Sequence, residues 1–229
     1  MEMDVFGKAL LDYLNGKYTE DIITFSSLDE EDIIPIPYLF RSYEEMPALE
    51  QNALNLCRGA VLDIGCGAGS HSLYLQEKGF QVTALDHSSG AIETCIRRGI
   101  ESTINSSILD FTRPKFDTLL LLMNGIGIVG KLSDLKSYLI HFKSLLRSNG
   151  QILLDSSDII YMFDPDEAFT AYYGEVEFTM HYKGLASSSF PWLYLDYNIL
   201  QNVAFECGLR CELVSEGEHY DYLARLTRI

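Results

Sequence analysis

The segment from Ala60 to His71 constrains the fold more than any other part of the chain. It begins with five residues, four of them apolar, and continues into three glycines at alternate positions, Gly65, Gly67 and Gly69. An apolar run that meets a glycine-rich turn and then a helical pattern is typical of a buried parallel strand, a tight turn and a helix. Glycine is needed where the backbone adopts angles that side chains forbid, or where a ligand approaches it closely. The free N–H groups at the helix start can then face that ligand.

A regular alternation of strands and helices follows this glycine segment. The predicted strands are 60–64, 81–86, 102–105, 116–123 and 151–155, and helical patterns lie between them at about 70–78, 88–99 and 133–146. Such alternation predicts a parallel sheet with right-handed crossovers. Two further strands, about 209–215 and 220–228, are joined by a short turn and predict an antiparallel hairpin.

Two parts of the chain do not follow the alternation. Residues 1–59, here called the N-terminal segment, show helical patterns at about 6–14 and 47–56, and Pro35 and Pro37 predict an extended stretch. We expect this segment to be a helical cover over the mouth of a site. Regularity lapses again at about 156–192, where residues 175–182 alternate like a half-exposed strand, and a helix is predicted at 192–207. The predicted domains are therefore 1–59 and 60–229, the second with an insertion at about 156–192.

The charge balance restricts the partners. The chain carries 33 acidic and 17 basic residues, a formal net charge of −16. Nucleic-acid binding needs a basic footprint, so we expect neither nucleic acid nor an anionic membrane as a partner, and small molecules remain. The acidic start resembles neither a signal peptide nor a transit peptide, and the five cysteines lack paired metal spacing. These features predict a reducing, cytoplasmic location and leave the oligomeric state open.

The pattern Asp63-x-Gly65-x-Gly67-x-Gly69 resembles motif I of the class I S-adenosylmethionine-dependent methyltransferases, in particular the small-molecule type. A dinucleotide-binding fingerprint would instead need glycine at Ser70. The terminal hairpin extends the resemblance over about 60–229. The resemblance implies an α/β fold: a Rossmann-like, seven-stranded, mostly parallel sheet with an antiparallel terminal hairpin and helices on both faces. The N-terminal cover and the insertion after the fifth strand would be added to that core.

The resemblance also implies which residues hold the cofactor, S-adenosylmethionine. Asp86 ends the second strand and would accept both ribose hydroxyls. Asp63 would order the glycine loop or meet the amino group of the cofactor. Ser107 stands where the family commonly has an acid, so an acidic contact with the adenine would have to come from Asp110. The full set of implied cofactor residues is Asp63, Gly65, Gly67, Gly69, Asp86, His87, Ser107, Ile108, Met123, Asn124, Tyr38 and Arg41.

Within that set, five further positions have an implied role. Ile108 would pack on the adenine ring, and Met123 and Asn124 would meet the methionine end. Arg41, with Tyr38, would hold the cofactor carboxylate from the N-terminal segment, because arginine suits bidentate recognition of carboxylates.

The chemistry itself needs little machinery. Transfer of a sulfonium methyl group is an in-line displacement that depends mainly on alignment, and a base is needed only for an acceptor proton of high pKa. No catalytic signature occurs, and the weak candidates are His181 and Asp158, followed by Asp155 and His219. Two carboxylates make a poor metal site, so none is predicted.

The acceptor is expected to be a small molecule held by the insertion, and its reacting atom (oxygen, nitrogen or sulfur) is left open. Two alternatives remain. One is a nicotinamide-dependent oxidoreductase, which Ser70 and the terminal hairpin disfavour. The other is a protein that binds S-adenosylmethionine without catalysis.

Overall fold

Two β-sheets organise the chain. A computed structural model describes residues 3–164, 169, 171–218 and 220–229. The strands are β1 (Ile22–Ser26), β2 (Glu31–Ile34), β3 (Ala60–Ile64), β4 (Gln81–Asp86), β5 (Thr103–Asn105), β6 (Phe116–Leu121), β7 (Leu146–Ser157), β8 (Glu175–Tyr182), β9 (Leu185–Ala186), β10 (Phe190–Leu193), β11 (Leu209–Glu216) and β12 (Asp221–Arg228). The α-helices are α1 (Val5–Leu14), α2 (Ile36–Leu39), α3 (Ala48–Leu56), α4 (Ser70–Glu77), α5 (Ser89–Arg97), α6 (Leu135–Leu145) and α7 (Tyr197–Glu206).

The larger sheet has seven strands in the order β11-β12-β7-β6-β3-β4-β5. β4 pairs with β5 and β6 with β7 in parallel, whereas β12 runs antiparallel to both β7 and β11. Residues 119–121 of β6 are completely buried, as expected for a parallel strand covered on both sides. The predicted Rossmann-like sheet with its antiparallel terminal hairpin is therefore confirmed.

The smaller sheet has the order β10-β8-β1-β2, with β9 paired to β8. It corrects the prediction of a helical cover for the N-terminal segment, because β1 and β2 both lie in that segment. β1 alternates a buried Ile22 and Thr24 with more exposed neighbours, and its partner on one side is β8, where Ile23 lies opposite His181. That partner is so distant in sequence that the local pattern of β1 alone does not identify it.

Other predicted boundaries also differ; β7, for example, spans Leu146–Ser157 and not only 151–155. Pro37 was expected to extend the chain, but it occupies the first turn of α2, where the missing N–H of proline has no cost. The predicted helix at 192–207 begins only at Tyr197, because residues 190–193 form β10 and the Asp196 side chain then caps α7 by accepting from Ile199 N at 3.0 Å.

The chain divides into two compact units. Unit 1 comprises residues 1–46, 62–111 and 177–190, and unit 2 comprises 47–61, 112–176 and 191–229. In unit 1, buried residues of α1 pack with the glycine segment: Leu10, Ala68 and Ala91 form one core cluster against Phe6 and Phe40. Much of the N-terminal segment thus shares its core with the glycine loop. Within the described ranges, no helix combines the length and the apolar character that crossing a bilayer requires.

Candidate active site

The glycine loop of unit 1 follows β3 and leads into α4. Gly65, Gly67 and Gly69 all have positive φ, at 74°, 52° and 81°. A Cβ on Gly69 would lie 2.9 Å from the sulfur of Cys95, so glycine is required there for packing. A Cβ on Gly65 would meet none of the described residues within 4 Å, so the backbone of this residue borders open space. The loop is fixed to the end of β4, because Gly65 N donates to Leu85 O at 2.9 Å.

Asp63 lies inside the protein beneath this loop. Its Oδ2 accepts a 2.6 Å hydrogen bond from Ser72 Oγ in the first turn of α4. Burial raises the pKa of Asp63, and the nearby His71 and the Ser72 hydroxyl partly offset that effect. The geometry supports the role of ordering the loop, while contact with the cofactor stays a prediction.

Asp86 joins the loop to the following helix. Its Oδ2 accepts from Gly67 N at 3.0 Å and its Oδ1 accepts from Ser88 N at 2.9 Å. Burial raises the pKa of Asp86, although these two backbone donors act in the opposite direction. A carboxylate has about four lone-pair sites, so each oxygen retains capacity for another donor. The side chain of His87 is 87% exposed, and its Nδ1 is 3.7 Å from Asp86 Oδ1.

The segment after β5 is a short 3-10 turn at Ile108–Asp110. Ser107 Oγ caps it by accepting from Leu109 N at 3.3 Å, so this hydroxyl already serves the turn. Ile108 is buried, whereas Leu109 and Asp110 are exposed. The adenine contacts of Ser107 and Ile108 stay predictions.

Residues 38–41 of the N-terminal segment lie against the start of α4. Leu39 O accepts a 2.8 Å hydrogen bond from Ser70 Oγ. The Arg41 guanidinium stacks over the Tyr38 ring, 3.9 Å from its centroid, and its Nη1 donates to Tyr38 O at 2.6 Å. Arg41 is 6% exposed. Tyr38 and Arg41 therefore belong to the same unit as the glycine loop.

Asp4 is a structural residue that the sequence analysis missed. It caps α1 by accepting from Gly7 N at 2.8 Å, and it also accepts from Ser88 Oγ and Gly90 N, both at 2.8 Å, at the start of α5. Burial acts to raise the pKa of Asp4, but the hydrogen bonds from Gly90 and Gly7 outweigh it and the pKa is lowered. An acidic residue before an apolar helical pattern signals the first cap. No local sequence feature signals the second role of Asp4, at the start of α5.

Met123 and Asn124 follow β6 in unit 2 and both have positive φ, at 66° and 53°. Asp155 at the end of β7 holds this turn: its Oδ2 accepts from Met123 N at 3.0 Å and its Oδ1 from Gly125 N at 2.8 Å. Ser156 Oγ donates to Asn124 Oδ1 at 2.8 Å. Asp155 is thus bound to the turn on both oxygens, a role that the sequence analysis did not predict.

The titration of Asp155 provides a stability test. Burial raises its pKa to about 6. Because the unfolded carboxyl titrates near pH 4, the folded state binds the extra proton between about pH 4 and 6, and stability falls as pH rises through that window. We expect Asp155→Asn to remove this decrease, which is at most about 3 kcal/mol. Urea denaturation of both proteins at pH 4, 5, 6 and 7 measures it, and parallel pH profiles of the two would contradict the assignment.

The weak catalytic candidates lie in different units. His181, on β8 in unit 1, is exposed and its ring packs edge-on against Phe25, with centroids 4.8 Å apart. Asp158 of unit 2 accepts from Ile160 N at 2.9 Å and from Tyr173 Oη at 2.8 Å. His219 lies outside the described residues. Both candidates stay predictions, and no group of three or more potential metal ligands occurs among the residues that the structure describes.

The comparisons with known proteins agree with this geometry. A family model described as a methyltransferase domain matches residues 61–150. A crystal structure of an S-adenosylmethionine-dependent methyltransferase from Bacteroides fragilis, in complex with S-adenosylhomocysteine, superposes with a TM-score of 0.92 and 42% sequence identity, covering 98% of this chain and 94% of that one.

Curated relatives match over shorter segments. A glycine/sarcosine N-methyltransferase of Parasynechococcus marenigrum is 29% identical over 104 residues, which are 42% of this chain and 37% of that protein. A ubiquinone biosynthesis O-methyltransferase of Rickettsia akari is 24% identical over 44% of this chain and 41% of that protein. The chain therefore spans less than half the length of these relatives, and their names differ in the atom that is methylated.

The sheet, its terminal hairpin and the glycine loop beside Asp86 define a class I methyltransferase fold. The chain belongs to the S-adenosylmethionine-dependent methyltransferase family, as its full-length similarity to the Bacteroides fragilis enzyme shows. The residues fit the cofactor of that family. Gly65 borders open space, and the buried Asp86 carboxylate keeps acceptor capacity.

Proposed function

We propose that the protein transfers a methyl group from S-adenosylmethionine to a small-molecule acceptor by in-line displacement. The observation that carries the proposal is the glycine loop of unit 1, tied to the end of β4 through Leu85 O and Asp86. When bound, S-adenosylmethionine supplies a methyl group on a positively charged sulfur. A lone pair of the acceptor forms the new bond to carbon, the carbon–sulfur bond breaks with its pair left on sulfur, and any acceptor proton passes to a base or to solvent.

Each cofactor residue receives a role in this proposal. Asp86 accepts the ribose hydroxyls, Asp63 keeps the loop in place from below, and Ile108 packs on the adenine. Support for the first role is that both Asp86 oxygens are already oriented by backbone donors, which fixes the carboxylate before the ligand arrives. The assignment of Met123 and Asn124 to the methionine end of the cofactor rests on the family resemblance. Asp155 would set the left-handed turn that these two residues form.

The N-terminal segment acts as a cover in this proposal. Support comes from contacts within unit 1: α1 packs on α5, Phe6 is 3.6 Å from where a Cβ on Gly67 would lie, and Tyr43 stacks on Tyr74 with centroids 4.1 Å apart. A cover that excludes water protects a reactive cofactor and completes its binding site.

Arg41 is proposed to hold the cofactor carboxylate. We expect Arg41→Ala to weaken S-adenosylhomocysteine binding by about 10- to 150-fold, because a charged hydrogen bond contributes about 1.5–3 kcal/mol, and to leave binding of an analogue without the carboxylate unaffected. Isothermal titration calorimetry with the two ligands measures the difference.

Arg98→Ala is the matched control for Arg41. Arg98 contacts the same part of the N-terminal segment, with its guanidinium 4.9 Å from the Phe40 ring centroid, and its Nη1 donates to Ala68 O at 2.6 Å. Removal of the Arg98 side chain should weaken binding of both ligands equally. If Arg41→Ala also weakens both ligands equally, the carboxylate assignment is wrong.

Catalysis is tested by incubating the protein with methyl-labelled S-adenosylmethionine and a metabolite extract. Label is expected in a small molecule, in step with the formation of S-adenosylhomocysteine. Tight cofactor binding without transfer from any extract would favour the non-catalytic alternative. A cytoplasmic location is part of the proposal and is supported by five free thiols, among them Cys66 and Cys95, whose sulfurs are 3.7 Å apart and are not joined by a disulfide.

A further inference from the structure

Six aromatic rings gather where β7 ends in unit 2. The centroids of Phe163, Phe169, Tyr172 and Tyr173 follow one another at separations of 4.6 to 5.9 Å. A second group is the stacked pair Tyr161 and Tyr220, with centroids 5.0 Å apart. We call these six residues the aromatic cluster.

The aromatic cluster is unusually exposed. Tyr161, Phe169 and Tyr220 are 54%, 41% and 64% exposed, and the adjacent Ile160 and Met162 add apolar surface at 41% and 36%. Contiguous exposed apolar surface on a protein of this size marks a binding region more often than a single exposed ring does.

Asp158 contacts both groups of rings, one through its backbone and the other through its carboxylate. Asp158 N donates to Tyr220 O at 3.0 Å, and Asp158 Oδ1 accepts from Tyr173 Oη at 2.8 Å. Nearby, Tyr172 Oη donates to Asp196 Oδ2 at 3.0 Å. Among residues 3–164, 169, 171–218 and 220–229, no lysine or arginine pairs with Asp158 or Asp196. Within those same residues, Asp158 Oδ2 receives no hydrogen bond.

We infer that the aromatic cluster and Asp158 bind the acceptor as a protonated amine; this rests on the proposed function and names its substrate class. Aromatic faces attract cations through their quadrupole, and the Asp158 carboxylate, with which no lysine or arginine of the described residues pairs, adds a direct charge. The net charge of −16 concentrates cations near the surface and acts in the same direction. A neutral alcohol or an anionic carboxylate gains neither the cation–π contact nor the ion pair.

The amine reacts after losing its extra proton to solvent. Its nitrogen lone pair then forms the bond to the methyl carbon, while the carbon–sulfur bond breaks and leaves its electron pair on sulfur. In this arrangement Asp158 and the rings position the amine, and the reaction needs no further reagent.

Binding of a fixed cation tests the inference without turnover. The probe is benzyltrimethylammonium, which has no lone pair to methylate, and its neutral counterpart is benzyl alcohol, each titrated by NMR in the presence of S-adenosylhomocysteine. We expect the cation to bind the wild-type protein at least about tenfold more tightly than the alcohol. Absence of cation binding, or equal binding of the alcohol, overturns the inference.

Three variants localise the site. Asp158→Asn is expected to weaken binding of the cation about tenfold, and Tyr161→Leu about threefold. Tyr161 is exposed, so its replacement does not threaten folding. Asp134→Asn removes an equal charge from an exposed position on another part of unit 2 and should leave binding unchanged. If Asp158→Asn and Tyr161→Leu both bind like wild type, the assignment is wrong.

The two levels of proposal fail differently. If the protein does not bind S-adenosylhomocysteine, the proposed function fails. If it binds S-adenosylhomocysteine but the probe pattern is absent, or the labelled product of an extract is an ether, thioether or ester, the amine assignment alone fails.

Discussion

Replacing Asp86 by alanine is expected to weaken S-adenosylhomocysteine binding by about 1.5–3 kcal/mol, the range for losing charged hydrogen bonds. That loss corresponds to about a 10- to 150-fold higher Kd. Two effects combine: the ribose would lose its acceptor, and Gly67 N and Ser88 N would lose the carboxylate that positions them. Calorimetric titration of wild type and variant measures the effect without turnover.

Two controls separate binding from folding in the Asp86 experiment. Asp86→Asn keeps the shape of the side chain and one acceptor oxygen, so its Kd should lie between those of the wild type and the alanine variant. Glu101→Ala removes an exposed acid just before the neighbouring strand and should change the Kd by less than twofold. An unchanged Kd in a folded Asp86→Ala protein would remove the main support for the cofactor assignment.

Gly90→Ala should detach the N-terminal helix from the domain. A Cβ on Gly90 would lie 2.5 Å from the carbonyl carbon and 2.6 Å from the Cα of Gly7, and backbone atoms cannot rotate away as a side chain can. α1 would have to move off α5, which breaks the hydrogen bonds of Asp4 to Ser88 and Gly90. We expect a loss of about 1–3 kcal/mol in the free energy of unfolding, as for other overpacked sites.

The sign of that effect is diagnostic. Alanine in place of glycine within a helix ordinarily stabilises by about 0.5–1 kcal/mol, so a decrease identifies the close approach of α1 and α5 as the cause. Urea denaturation gives the free energy, and hydrogen exchange of residues 5–14 reports whether α1 is released. Ile96→Ala, on the same helix with a side chain that is 51% exposed, is the control and should have little effect. A Gly90→Ala protein as stable as wild type would show that α1 does not depend on this contact.

The parts of the fold that sequence predicts well are those with local causes. β3 and β4 were predicted at their observed bounds because apolar runs there end at glycine or aspartate, and Ser88 caps α5 through Ala91 N as its residue type suggests. The antiparallel hairpin was predicted because a short turn joins its two strands.

The residues whose roles could not be predicted from the sequence have hydrogen-bond partners that are distant in the chain. Asp4 reads as a simple helix cap, yet three of the four residues that donate to its side chain lie more than 80 positions away. Asp155 reads as a spare carboxylate, yet it closes a turn that lies 30 to 32 residues earlier. Composition and periodicity describe a segment and its nearest neighbours, so a contact between remote segments leaves no trace in either.

The pairing of β1 with β8 has a consequence for how the protein is made. Ser27 and Glu177, which share a hydrogen bond beside these strands, are 150 positions apart in the chain. During synthesis, β1 leaves the ribosome early, when β2 is its only available strand partner. An isolated two-stranded hairpin has marginal stability in water. Closing so long a loop is entropically costly and slow. We therefore expect nascent chains to carry the complete glycine loop well before β1 is secured, so the N-terminal segment reaches its final position only after translation has passed β8.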